Sequence, residues 1–244
     1  MAFDFDGTLA AIVPDPNAAV LDQDLVARLE KLRAEVGWLA VVSGRERAVL
    51  ARMLPPGWIA LGSYGLELPH DLSATGHPPG FDAATAQASL ETARGRLGEL
   101  SRRLPGTRVE VKAWGLALHY RGAEEVGGDR AVWREFRSLA FGAGLTAVEG
   151  RLVYEMKPKD AVDKGWALQF LREKLGPGAI SFTGDDLGDV AAWDRLRLMS
   201  DELPALAVGI DSPEAPPMLR QVCDLVLADR SEVGELVDAL LAAG

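Results

Sequence analysis

The sequence is poor in residues that cross-link a chain or coordinate soft metals. Of 244 residues one is a cysteine, Cys223, and three are histidines. A lone cysteine excludes an internal disulfide framework, and one cysteine with three scattered histidines leaves no zinc-ligand spacing. Long apolar runs are missing too. None approaches the ~18 residues of a membrane-spanning helix, and the N-terminus lacks the basic and apolar regions of a signal peptide. Positive charge is in deficit, with 26 Lys and Arg against 36 Asp and Glu. The net charge of −10 argues against nucleic acid or an anionic membrane as the main partner. These shortages lead us to expect a soluble cytoplasmic protein.

What is present is ample core material, with 48% hydrophobic residues. Short apolar runs alternate with amphipathic segments, the pattern of an α/β fold. Buried strands are predicted over Trp38–Val42, Trp58–Leu61, Ala179–Thr183 and Leu206–Ile210, with a short one over Asp224–Ala228. Leu25, Val26, Leu29, Leu32 and Val36 share one helical face. Further helices are predicted over Lys164–Leu175, Val190–Met199 and Ser231–Ala243, the last with Ser231 as its N-cap.

The middle of the chain reads differently. Residues 69–80, containing Pro, Gly and His, look like a linker. Beyond them a helix over Ala83–Leu104 is followed by strands over Arg108–Lys112 and Leu116–Tyr120. A helix over Arg130–Ala140 and strands over Leu145–Val148 and Arg151–Met156 complete an α-β-β-α-β-β module. The expected division is an α/β core over residues 1–80 and 159–244, interrupted by an inserted α+β module over 81–158. Residues 82–158 hold 12 basic and 10 acidic side chains and the remainder 14 and 26, so the acidity belongs to the α/β part.

Ligands of open α/β sheets bind beyond the carboxyl ends of the strands. Three apolar runs end there in polar clusters: AFDFDGTLA from Ala2, LAVVSGRE from Leu39 and SFTGDDLGD from Ser181. On an extended backbone Asp4 and Asp6 project from one face. Two carboxylates that close repel unless a cation lies between them, and all-oxygen ligands with retained waters suit Mg²⁺. Asp185, Asp186 and Asp189 either ligate a metal or complement the dipole of the following helix, and for Asp185 the metal role is favoured. Ser43, with Arg45 read as just inside the next helix, either holds a phosphate oxygen or caps that helix. Lys164 opens a helix through the phrase DKG, and taken alone it reads as a surface lysine.

In combination, DFDGTLA, the strand ending in SGR, DKG and GDDLGD resemble the haloacid dehalogenase superfamily of phosphotransferases. The resemblance implies a Rossmann-like parallel sheet with the first motif at its switch point. Asp4 would be the nucleophile that forms an aspartyl-phosphate, and Asp6 the acid and then base. Ser43 and Lys164 would bind the phosphoryl group. Asp185 would complete a Mg²⁺ site with Asp4 and the backbone carbonyl of Asp6. The inserted αββαββ module looks like the superfamily's C2-type cap.

Within that module VEVKAWGLALHYR, from Val109, resembles the cap signature of trehalose-6-phosphate phosphatases, as do LVYEMKP ahead of DKG and GSYGLEL after the third strand. The implied substrate is the small sugar phosphate trehalose 6-phosphate. Arg45, Glu110, Lys112, Arg121 and Glu155 would contact it, with Arg151 a lesser candidate. Without the resemblance, Glu110 and Lys112 read as an alternating strand face exposed to water. His119 and Tyr120 are assigned to support of the cap fold. A monomer is expected. The alternatives are a sister phosphatase for sucrose 6-phosphate or a glycosyl-phosphoglycerate, and a catalytically silent sugar-phosphate-binding protein.

The sequence departs from the resembled pattern in three places. Gly188 and Val190 stand where Thr and Glu are usual, and GSYG replaces a version containing Asn and His. Only Met1–Phe3 precede Asp4, against the ~5–6 residues of an ordinary strand. The chain is therefore expected to begin late in its first strand, and an apolar N-terminal extension is expected to stabilise it.

Overall fold

The computed structural model describes residues 1–13, 15–150, 152–213 and 215–243. In chain order, β1 (Ala2–Phe3), α1 (Gln23–Val36), β2 (Ala40–Val42), α2 (Arg47–Met53) and β3 (Ile59–Leu61) come first. They are followed by α3 (Ala83–Arg102), β4 (Arg108–Lys112), β5 (Gly115–His119), α4 (Glu124–Gly128), α5 (Arg130–Gly142), β6 (Leu145–Gly150) and β7 (Val153–Pro158). The last group is α6 (Lys164–Leu175), β8 (Ile180–Gly184), α7 (Val190–Met199), β9 (Ala205–Ile210), α8 (Leu219–Val222), β10 (Leu225–Leu227) and α9 (Val233–Ala243). Two compact units result: Met1–Pro78 with Val162–Gly244, and Pro79–Ala161.

The first unit is built on a parallel sheet of order β10-β9-β8-β1-β2-β3. Ala2 of β1 pairs with Ala40 on one side and Phe182 on the other, which makes this two-residue strand the centre of the sheet. From β1 the chain adds strands on one side, then returns to add β8, β9 and β10 on the other. The order reverses at β1, so the ligand crevice of such a sheet opens there. The strands are apolar throughout because both faces are covered. Phe3, Val41 and Val208 enter a core with Phe5 and Leu29, whereas Ala2, Val42 and Phe182 enter one with Phe170 and Trp193. Burial of each large side chain among these contributes about 1.5–3 kcal/mol.

Caps set the helix starts. Asp163 accepts the amide of Trp166, so α6 begins at Lys164, as the DKG phrase suggests. The expected cap of the last helix is corrected. Asp229, not Ser231, is the capping residue; its carboxylate accepts the Ser231 amide and hydroxyl and opens a 3-10 turn, Arg230–Glu232, ahead of α9. An ionised carboxylate is the stronger acceptor, and it leaves the serine as a donor.

The second unit is an antiparallel sheet of order β4-β5-β7-β6 with α3 and α5 packed on one face. Leu116, Leu118, Tyr154 and Met156 point to that face and join Leu90, Leu97, Phe136 and Ala140 in a core. The short helix α4 is not among the helices predicted from the sequence, and two of its five residues, Gly127 and Gly128, are poor helix formers. Tertiary contacts form it. The Tyr154 hydroxyl donates to the carbonyls of Val126 and Gly127 at 3.2 Å each. A Cβ at Gly127 would lie 2.4 Å from the Tyr120 ring. Tyr120 is buried against Tyr154 with ring centroids 4.9 Å apart, a packing role. Among the described residues no helix is long and apolar enough to cross a membrane.

Candidate active site

The polar clusters at the carboxyl ends of β1, β2 and β8 meet one another and the first residue of α6. Asp4 follows β1 directly and is 4% exposed. Lys164, 2% exposed, places its Nζ 2.6 Å from Asp4 Oδ1 and 2.5 Å from Asp189 Oδ1. The other oxygen of Asp189 accepts the amides of Asp185 and Asp186 at 2.8 and 3.0 Å. Asp189 is thus consumed as a brace: one oxygen orients the lysine and the other shapes the loop after β8. Along the sequence Asp189 belongs to the acidic cluster, and nothing local points to its partner Lys164.

Asp185 is completely buried. Its Oδ1 accepts the Thr8 hydroxyl at 3.4 Å and its Oδ2 the Ser212 hydroxyl at 3.3 Å. Its carboxylate lies so close to Gly7 that a Cβ there would stand 2.2 Å from Oδ2, and Gly7 has a φ of +81°. The glycine of DFDG is required on both counts. Asp186 takes the capping role that its position allowed: it accepts the Gly188 amide at 2.8 Å and forms a reciprocal capping box with Asp189.

Ligand oxygens of Asp4, Asp185 and Asp189 all lie within 4.8 Å of one another. Burial holds Asp4 well above the usual carboxylate range, with Asp189 and Asp186 adding to the rise and Lys164 opposing it. Burial likewise pushes Asp185 up to about 7 and Asp186 to about 6, in both cases with help from the Asp189 charge. Burial works against the Lys164 ammonium, but Asp189 and Asp4 outweigh it and hold its pKa well above the ordinary value. One ammonium therefore does not neutralise the buried carboxylates. An all-oxygen donor set with surplus negative charge fits a divalent metal ion, and Asp4 and Asp185 are the carboxylates that could hold it.

Asp6 takes a different partner from Asp4. The strand ends at Phe3 and the chain bends at Phe5, so the shared extended face expected of the two aspartates is replaced by divergence. Arg45 forks onto Asp6, Nε to Oδ2 and Nη2 to Oδ1, both at 2.6 Å, while its guanidinium lies 5.1 Å from the Phe5 ring centroid. Arg45 itself is corrected: α2 starts at Arg47, so Arg45 lies ahead of the helix. The Ser63 and Tyr64 amides donate to the carbonyls of Arg45 and Ser43 at 2.8 and 2.9 Å and keep this segment out of helical geometry. Ser43 is buried and its hydroxyl accepts the Arg45 amide at 3.2 Å; the cap of α2 is Glu46. The GSYG segment turns through Ser63 and Tyr64 in left-handed backbone, φ 50° and 61°.

In the second unit Glu110, Lys112 and Glu155 share the sheet face away from α3 and α5. Lys112 Nζ lies 2.5 Å from Glu155 Oε1, and Lys157 Nζ 3.9 Å from Oε2. Burial raises Glu155, yet Lys112 and Lys157 outweigh it and keep the carboxyl below its ordinary value. His119 lies on this polar face, with its Nε2 2.6 Å from Glu110 Oε2. The register carries the signal that would have found it, since Lys112↔Gly115 across a two-residue turn puts residues 110 and 119 on one face. Arg121 stands in the exposed turn after β5, outside this set of contacts. Arg151 lies outside the described residues.

A family model described as trehalose-phosphatase matches residues 2–212. The chain belongs to the trehalose-phosphatase family. Among the family's curated members it is 39% identical over 204 residues to a trehalose-phosphate phosphatase of Mycobacterium avium, which covers 80% of this chain and 50% of that protein. The chain thus spans about half the length of the mycobacterial trehalose-phosphate phosphatases that it matches. Among solved structures, one titled as a trehalose-6-phosphate phosphatase related protein superposes with a TM-score of 0.71 at 20% identity, covering 100% of this chain and 97% of that one. A haloacid dehalogenase-like hydrolase from Bacteroides thetaiotaomicron gives 0.64 at 14% identity, covering 98% of each chain. At these identities the likeness speaks for the fold: a haloacid dehalogenase-type parallel-sheet core with a separate antiparallel-sheet cap.

Proposed function

We propose that this chain is a Mg²⁺-dependent phosphatase that hydrolyses trehalose 6-phosphate to trehalose and phosphate. The unit formed by Met1–Pro78 and Val162–Gly244 is its catalytic core, and Pro79–Ala161 is its sugar-reading cap. The observation that carries the reading is the buried Asp4 carboxylate in contact with the Lys164 ammonium, beside Asp185 and at the switch point of the sheet.

Phosphate-monoester hydrolysis is among the slowest uncatalysed reactions, needing accelerations of up to ~10²¹. A carboxylate approaching a phosphate dianion must first have charge offset. Lys164 and the Ser43 hydroxyl bind phosphoryl oxygens and provide part of that offset. Asp4, Asp185 and the Asp6 carbonyl would hold the metal ion, which would supply further neutralisation of the phosphoryl group. An Asp4 oxygen attacks phosphorus while the bond from phosphorus to the sugar oxygen breaks, and a proton from Asp6 passes to that oxygen. Asp6, now ionised, takes a proton from the water that attacks the aspartyl-phosphate, which releases phosphate and restores both aspartates. Glu110, Lys112, Arg121 and Glu155 contact the sugar, and Arg45 the phosphate side. Ionised carboxylates accept hydroxyl hydrogens and cations donate to oxygens, the pairing a polyol phosphate calls for.

The test is phosphate release from a panel of trehalose 6-phosphate, sucrose 6-phosphate and glucosyl-3-phosphoglycerate with Mg²⁺, using Asp4→Asn as control. Preferred turnover of the first, abolished in the control, is expected. Preference for another member of the panel would establish the sister-phosphatase reading. Binding without turnover would establish a silent sugar-phosphate-binding protein.

A further inference from the structure

The polar face of the cap sheet contains a residue to which nothing so far gives a purpose. β4 and β5 pair with Glu110 opposite Ala117 and Arg108 opposite His119, and β7 places Glu155 on the other side of Ala117. Glu110 and Glu155 therefore flank an alanine across three strands, their backbones ~9–10 Å apart. Ala117 has no side chain beyond Cβ, so the imidazole of His119 can reach diagonally past it to Glu110 Oε2, 2.6 Å away. On the opposite side Lys112 reaches Glu155 Oε1. Each carboxylate accepts a hydrogen bond through one oxygen, and Lys157 lies 3.9 Å from the other oxygen of Glu155.

We infer that His119 is a positioning residue for sugar recognition, holding Glu110 by Oε2 so that Oε1 is presented to a substrate hydroxyl. The inference rests on the reading of Glu110 as a sugar contact. An ionised carboxylate only accepts, so the bonded His119 nitrogen carries a hydrogen in both the neutral and the cationic ring. The His119 hydrogen bond is the largest influence on Glu110 and holds its carboxyl below the ordinary value, as Lys112 and Arg108 also do. The pair is not built for stability. The two side chains are 29% and 39% exposed, and surface pairs of this kind add little to folding stability. The neighbouring Tyr120, by contrast, is buried in the cap core. Fixing the rotamer of a flexible glutamate before substrate arrives lowers the ordering cost of binding.

The experiment compares His119→Ala, His119→Gln, Glu110→Gln and the double variant H119A/E110Q, with trehalose 6-phosphate and p-nitrophenyl phosphate as substrates. His119→Ala is expected to raise KM for the sugar phosphate roughly 5- to 10-fold, the scale of one hydrogen bond, with little change in kcat. The ratio of kcat/KM for the sugar phosphate to that for the aryl phosphate should fall by the same factor. Glutamine, which keeps a side-chain N–H donor, should restore most of the loss. In the Glu110→Gln background the alanine change should add nothing further. A raised KM in Glu110→Gln with an unchanged one in His119→Ala would overturn the inference, and so would fully additive losses. An unchanged KM in Glu110→Gln would instead bring down the sugar-contact reading on which it rests. Melting curves that match the parent for all four variants would show that folding is not what the kinetics report.

Discussion

Arg45 closes a two-pronged hydrogen bond on Asp6, each prong 2.6 Å long and each to a different carboxylate oxygen. In that arrangement both carboxylate oxygens of Asp6 are engaged as acceptors of the guanidinium. For the proposed chemistry Arg45 has to exchange Asp6 for the incoming phosphate, two of whose oxygens can accept the same guanidinium fork. On that proposal the contact belongs to a resting state, and substrate binding would free Asp6 to act as the acid.

It follows that Arg45→Lys should not substitute for arginine, since an ammonium is a point charge and cannot fork. We expect kcat/KM to fall roughly 10- to 100-fold in both Arg45→Lys and Arg45→Ala, the equivalent of about 1.5–3 kcal/mol from charge-assisted hydrogen bonds. Steady-state phosphate release checks this, and wild-type kinetics in Arg45→Lys would sink it.

Lys164 is the ammonium that two buried carboxylates share. Lys164→Met should destabilise the metal-free protein by about 3–5 kcal/mol, because it leaves Asp4 and Asp189 buried without their cation. Added Mg²⁺ should recover part of the loss. Denaturant unfolding with EDTA and with Mg²⁺ measures both; equal stability of variant and parent in EDTA would contradict the arrangement described.

Protons and metal should compete for the same carboxylates. Asp185 and Asp186 have folded-state pKa values raised to about 7 and about 6. Below these values the folded state holds protons that an unfolded chain releases near pH 4. The two groups therefore favour folding at low pH, and that contribution is lost as pH rises through about 6 to 7. A bound divalent cation reverses the preference by favouring the ionised forms. The gap in melting temperature between samples with Mg²⁺ and with EDTA should widen from pH 5 to pH 7.5. A constant gap would argue against Asp185 as a ligand.

Gly7→Ala tests the closeness of the first motif to Asp185. Its Cβ would fall 2.2 Å from Oδ2 at a φ of +81°. The backbone strain alone costs ~1–2 kcal/mol, and the clash must move either the loop or the carboxylate. A lower melting temperature together with a weakened Mg²⁺ response is expected, both read in one set of melting curves.

Much of this protein is legible along the chain, and the legible part is local. α6 and α7 span the residues that apolar periodicity and the DKG and GDDLGD phrases assign to them, because caps and helical faces are read within four residues. The same holds for β4, where alternation marks the strand. Pairings were not legible in that way. Asp186 and Asp189 stand three residues apart in one acidic phrase, yet one caps a turn and the other braces Lys164, 25 residues away. Arg45 is drawn to Asp6 across 39 positions, and the amides after β3 delay the start of α2.

By itself the sequence determined the order of the motifs, the apolar runs that become a two-sided buried sheet, and the residue types needed at its carboxyl edge. Those follow from side-chain chemistry and from periods of two and 3.6 residues, which any short window contains. Only the tertiary structure decided which carboxylate meets which cation. Asp4 and Lys164 are 160 residues apart, and burial at the sheet's switch point makes an unpaired charge there costly enough to select the partner. The scarcity of histidine excluded one kind of metal site; the fold gave His119 its place beside Glu110 instead.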